Sequence, residues 1–163
     1  MMKELAFAMM TLSSLNAQDI LYGSSTTSHK KRSDYTLTEI SLKENLGGKK
    51  WKGMYLNVNK ETTLITLKNS PEENMFGFGK SYELKKNEND KVYISGVSTL
   101  LFNNPQSKYF DSMIEFKHES CIGALLGKLR FERCASHISN GPFGGTNIGA
   151  DYHISKFNVR IKF

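Results

Sequence analysis

The sequence predicts an all-β chain folded as an eight-stranded antiparallel transmembrane β-barrel. Three observations carry that expectation. Short segments alternate apolar and polar residues between turn residues, with only three prolines and no sustained helical periodicity. Mean hydropathy is −0.43 and no run approaches about 18 apolar residues, which excludes a membrane-spanning helix. A barrel passes the same test, because lumen-facing and lipid-facing residues average to a hydrophilic strand. The clearest segment is the last, with Phe157, Val159, Ile161 and Phe163 on one face and Lys156, Asn158, Arg160 and Lys162 on the other.

Residues 1–17 read as a signal peptide. Lys3 precedes an apolar run from Leu5 to Leu15, and Ala17 offers a small residue at the cut. Residues 18–163 form the barrel. Its strands are expected at Asp19–Ser28, Tyr35–Asn45, Lys50–Asn59, Met75–Lys85, Lys91–Phe102, Ser112–Leu126, Lys128–Ser139 and the C-terminal segment. Thr62–Leu67 would be a ninth, and even strand counts make it an extension of the third. The connections at Gly47-Gly48, Lys86–Asp90 and Gly127-Lys128 are compact and periplasmic. Those at Lys30–Asp34, Lys60–Asn74, Asn103–Ser107 and Asn140–Ala150 lie outside the cell. In the second strand Tyr35 and Leu37 change face relative to Ile40 and Leu42, which predicts a bulge there.

Gly127-Lys128 fits a two-residue type II′ turn. Counting outward from it sets Cys121 opposite Cys134 in a close, non-hydrogen-bonded pair, a spacing that permits a disulfide. The net charge of +6 is spread along the chain rather than clustered, which favours anionic lipid over nucleic acid. No Cys and His set has zinc spacing, and no metal or cofactor is expected.

The chemistry concentrates in Ala135 to Gly141 and Asn147 to Tyr152. His137 and Ser139 share a strand face. A hairpin centred near Gly144 brings Asp151 opposite His137, completing a Ser-His-Asp set of nucleophile, base and orienting carboxylate. All three are odd-numbered, the parity of Leu129, Phe131, Phe157 and Phe163, so the set is expected on the lipid face. Twelve residues separate Asp151 from Phe163. At ~3.3 Å per residue and a 40–45° tilt this is roughly 28–30 Å along the membrane normal, which puts the site near the outer-leaflet surface. Taken alone, His137 and Ser139 also fit as polar residues at a strand end. Arg133 and Ile138 break the outward-apolar rule. His153 competes for Asp151, His118 has no obvious partner, His29 sits in a Lys-rich loop, and Trp51 and the tyrosines suit interfacial girdles.

The run His137, Ser139, Asn140, Asn147, Gly149 resembles, without a gap, the C-terminal part of the PagL family of outer-membrane lipid A 3-O-deacylases. That family carries His-x-Ser-Asn near the end of its seventh strand, then an Asn, a Gly and a Glu; Asp151 stands in the place of the Glu. Ser112–Phe116 and Ile122–Ala124 look like its sixth strand, so the resemblance runs from Ser112 onwards. It implies an outer-membrane hydrolase of a Gram-negative bacterium that removes the ester-linked 3-hydroxyacyl chain at position 3 of lipid A without metal. Ser139 would be the nucleophile, His137 the base and Asp151 its orienter. Asn140, Asn147 and Gly141 would hold the loop or donate to the oxyanion. Pro142 falls where the family has a Gly, and proline has no N–H to offer. The partners implied are lipopolysaccharide and outer-membrane lipid, with the oligomeric state open, a homodimer included. The sequence leaves two alternatives, a structural or adhesive barrel and a lipid A acyltransferase.

Overall fold

The computed structural model describes residues 19–29, 32–68, 73–103, 113–140 and 149–158. The expected signal peptide, Gly141, Pro142, Asn147, Val159, Ile161 and Phe163 lie outside them. Eight strands follow in order: β1 (Asp19–His29), β2 (Arg32–Trp51), β3 (Met54–Lys68), β4 (Glu73–Lys85), β5 (Val92–Phe102), β6 (Ile114–Leu126), β7 (Leu129–Ser139) and β8 (Ala150–Asn158). Each pairs antiparallel with the next, and β8 pairs with β1, closing the barrel. Closure leaves no sheet edge.

The alternation sorts the side chains. On β7, Leu129, Phe131, Arg133 and Ala135 point outward, while Arg130, Glu132, Cys134 and Ser136 are buried in the lumen. Phe78, Tyr82, Ile94, Ile122, Leu126 and Phe157 join the outer surface. Charge is inside and apolar surface outside, the inverse of a protein that folds around an oily core.

Buried ions must find partners, and strands on opposite walls supply them. Glu39 of β2 accepts from Lys117 of β6, Lys156 of β8 and Ser41, the last two at 2.7 and 2.9 Å. Glu132 accepts from Lys43 and from the Tyr93 hydroxyl, both at 2.8 Å. Arg130 reaches Glu83, and Glu119 accepts from Ser136 at 2.6 Å and from Lys156. Toward the end with the longer connections the lumen becomes apolar, through Leu37, Ile65, Leu67, Met75, Leu101 and Ile138.

That apolar cap corrects one expectation. Leu37 belongs inside, so β2 keeps a regular register with β1 from Tyr35 to Lys43 and has no bulge there. The bulge lies instead between Asn45 and Gly47, where Gly47 takes φ +111°. The Asn45 side chain accepts the Gly47 amide at 2.6 Å. Gly47-Gly48 is therefore not the turn. β2 continues to Trp51, and the turn falls on Lys52-Gly53, both at positive φ. Thr62–Leu67 is part of β3, as expected. The first connection is shorter than Lys30–Asp34, since β1 reaches His29 and β2 begins at Arg32.

The β6–β7 hairpin follows the count. Leu126 pairs with Leu129 around Gly127 at φ +62°. Cys121 pairs with Cys134 inside the barrel, with Cα atoms 4.1 Å apart and the sulfurs bonded. Arg133 does face outward, and its guanidinium donates to Ser155 Oγ at 2.7 Å.

Candidate active site

The hairpin register places the histidine and the carboxylate. His137 on β7 pairs directly with Asp151 on β8. Both side chains project outward, and Nδ1 of His137 lies 2.7 Å from Oδ1 of Asp151. With Nδ1–H donating to the carboxylate, Nε2 is the ring's free acceptor. Ser139 stands one same-face step further along β7, half-buried and paired with Phe116. Among the described residues no hydrogen bond joins Ser139 to His137. Such contacts are often long in an empty site and tighten with substrate.

Gly149 shapes the site from the other strand. It lies one step above Ala150, the partner of Ile138, at φ +76°. A Cβ there would come 2.7 Å from Cε1 and 3.1 Å from Nε2 of His137, and 2.8 Å from the Ile138 carbonyl. The missing side chain is the space that the imidazole's Cε1–Nε2 edge occupies. Asn140 is buried at the top of β7, rather than exposed on the outer face beside Ser139. Gly141 and Asn147 lie outside the described residues.

The chain shares its fold with a solved enzyme. It superposes on the crystal structure of the outer membrane enzyme PagL with a TM-score of 0.70, covering 88% of this chain and 99% of that one at 12% identity. The two barrels share one architecture. At that identity the likeness establishes the architecture alone. No protein-family model and no curated protein sequence matches the chain.

Three features escape a residue-by-residue reading. His118 has a partner after all: it pairs with His137 in register, and its Nδ1 lies 3.1 Å from Ser98 Oγ. Ser98, His118, His137 and Asp151 thus form one outward row across β5 to β8. The count that placed Cys121 against Cys134 also places His118 against His137, so this signal was present. His153 shares the outward face of Asp151 but lies two residues lower, opposite Ala135, and the carboxylate bonds His137 instead. Below the row, Gly96, Ser120 and Ala135 come side by side on β5, β6 and β7. Their short side chains form the floor of an outer-wall groove of about 650 Å³, which Tyr82 and His153 also line.

Proposed function

We propose that this protein is an outer-membrane serine hydrolase that removes the ester-linked 3-hydroxyacyl chain at position 3 of lipid A. The observation that carries the reading is the bond of 2.7 Å between His137 and Asp151, on the outer wall and one step below a serine. A lumen site would be closed to a lipid; this one faces the surroundings that an apolar outer wall requires. The PagL-like fold and the match of His137, Ser139, Asn140, Asn147 and Gly149 to that family support the same assignment.

Asp151 holds the imidazole in the tautomer with Nδ1 protonated. Nε2 takes the Ser139 proton as Oγ attacks the acyl carbonyl, forming a tetrahedral oxyanion. The imidazolium then protonates the departing sugar oxygen, leaving an acyl-serine. Water, deprotonated by His137, releases the fatty acid and restores the hydroxyl. The groove over Gly96, Ser120 and Ala135 takes the acyl chain as it descends from Ser139. Buried Asn140 suits the loop-holding role, which leaves the Gly141 N–H and Asn147 as oxyanion donors.

Gly149→Ala tests the geometry. The added methyl would push the imidazole off its line, and a displacement of about 1 Å costs ~10²-fold in rate. Turnover is expected to fall by that order, read by ester hydrolysis beside the heat-modifiable gel migration of the folded barrel. The assignment itself is tested with a lipid-like organophosphonate, an acyl-ester mimic that captures activated serines. Mass spectrometry should find the adduct on Ser139 in the native protein and none in His137→Ala. Absence of an adduct from both proteins, or equal labelling of both, contradicts the reading.

A further inference from the structure

Arg133 is the residue that the reading above leaves unexplained. It projects from the outer wall of β7 four residues above Leu129, at the hairpin turn. At ~3.3 Å per residue and a tilt of 35–45°, that is roughly 10 Å above the turn, within the apolar belt. A guanidinium has five N–H donors and keeps its charge there. Among the described residues its side chain donates to the Ser155 hydroxyl, a neutral group. A charge on a lipid-facing surface without a carboxylate needs an anion from elsewhere.

The surroundings say which. Arg133 lines a second outer-wall groove of about 740 Å³, which continues downward from the first over Gly96, Ser120 and Ala135 and is otherwise largely apolar, with Leu56, Leu84, Ile94, Ile122 and Trp51. The groove descends toward the end of the barrel with the tight turns. Lys128 sits in the β6–β7 turn, and Lys91 stands at the foot of β5, where its carbonyl accepts the Leu125 amide at 2.7 Å. Lys49, Lys50, Lys52 and Lys86 are exposed at the same end. The acids of that rim are engaged locally: Asp90 accepts the Asn87 amide at 2.8 Å and Glu88 the Tyr55 hydroxyl at 3.3 Å. Basic residues therefore crowd the end of the barrel toward which the groove descends, and one arginine is set inside it.

We propose that this lower groove binds an anionic phospholipid of the periplasmic leaflet. Its acyl chains lie along Ile94 and Ile122, and its phosphate is held between Arg133, which reaches down by its long stem, and Lys128 in the turn below. A zwitterionic lipid fits the same groove but brings its own cation to a basic site. The proposal rests on the membrane residence assigned above and not on catalysis.

Arg133→Leu tests it, because the sign of its effect depends on the bilayer. In phosphatidylcholine vesicles the leucine variant should unfold a few degrees higher than the native chain, since a charge has been removed from hydrocarbon. In vesicles containing phosphatidylglycerol the order should reverse, because only the native chain gains from binding the anion. A variant more stable in both bilayers makes Arg133 a mere burden, and one less stable in both makes it structural through Ser155. Either result overturns the proposal. So does inorganic phosphate in phosphatidylcholine vesicles if it reproduces the effect of the anionic lipid. Hydrolysis plays no part in the readout, so a catalytically inert barrel passes or fails on its own terms.

Discussion

Ser139→Ala is expected to remove several orders of magnitude of acyl-ester hydrolysis while the barrel still folds. The hydroxyl makes no hydrogen bond among the described residues, and its loss opens no cavity in the lumen. What remains is binding and oxyanion stabilisation, a small residue of the native rate. His137→Ala should be about as severe, and the double variant no worse than either alone, since the two act as one unit. Asp151→Asn should fall less far, because the imidazole keeps its position and loses only its tautomer. Asp151→Glu should retain most activity, as carboxylates of both lengths serve in such triads. Single-turnover rates on one ester substrate, with folding followed in parallel by gel migration, separate these outcomes. If Ser139→Ala hydrolyses at a near-native rate, the nucleophile is elsewhere.

The second large effect lies in the lumen. Glu39 neutralises two ammonium groups, Lys117 and Lys156, neither of which is exposed. Glu39→Ala would leave both with Glu119 as their remaining close carboxylate. Removing one partner of a buried ion pair typically costs about 3–5 kcal/mol. The variant should unfold at a clearly lower denaturant concentration, with little change in surface behaviour. Combining it with Lys156→Met should recover much of the loss, because one ammonium, Lys117, then remains for the one carboxylate, Glu119. Equal denaturation midpoints for Glu39→Ala and the native chain would mean that water reaches this cluster and screens it.

Much of the architecture was legible because period-two alternation and turn chemistry are local. The Gly127-Lys128 turn fixes every pair of the β6–β7 hairpin, so Cys121 against Cys134 followed by counting alone. His137 against Asp151 needed only the centre of the next loop. The errors have a common cause. Gly47-Gly48 reads as a turn, yet a glycine at positive φ serves a bulge as well as a turn. Only the pairing of β2 with β3 tells which. Leu37 reads as changing face only if the lumen is polar throughout, whereas its upper part is apolar. The groove floor was hidden for another reason. Gly96, Ser120 and Ala135 are ordinary small residues on three strands, and only their common register makes a surface of them.

The most direct test of the central claim is the mass of lipid A after incubation with the purified, folded protein in mixed micelles. The account predicts loss of one 3-hydroxyacyl chain, release of the matching free fatty acid, and neither change with Ser139→Ala. Lipid A that gains an acyl chain would make the protein a transferase. Lipid A of unchanged mass, with no fatty acid released, would contradict hydrolysis and leave a barrel without this chemistry.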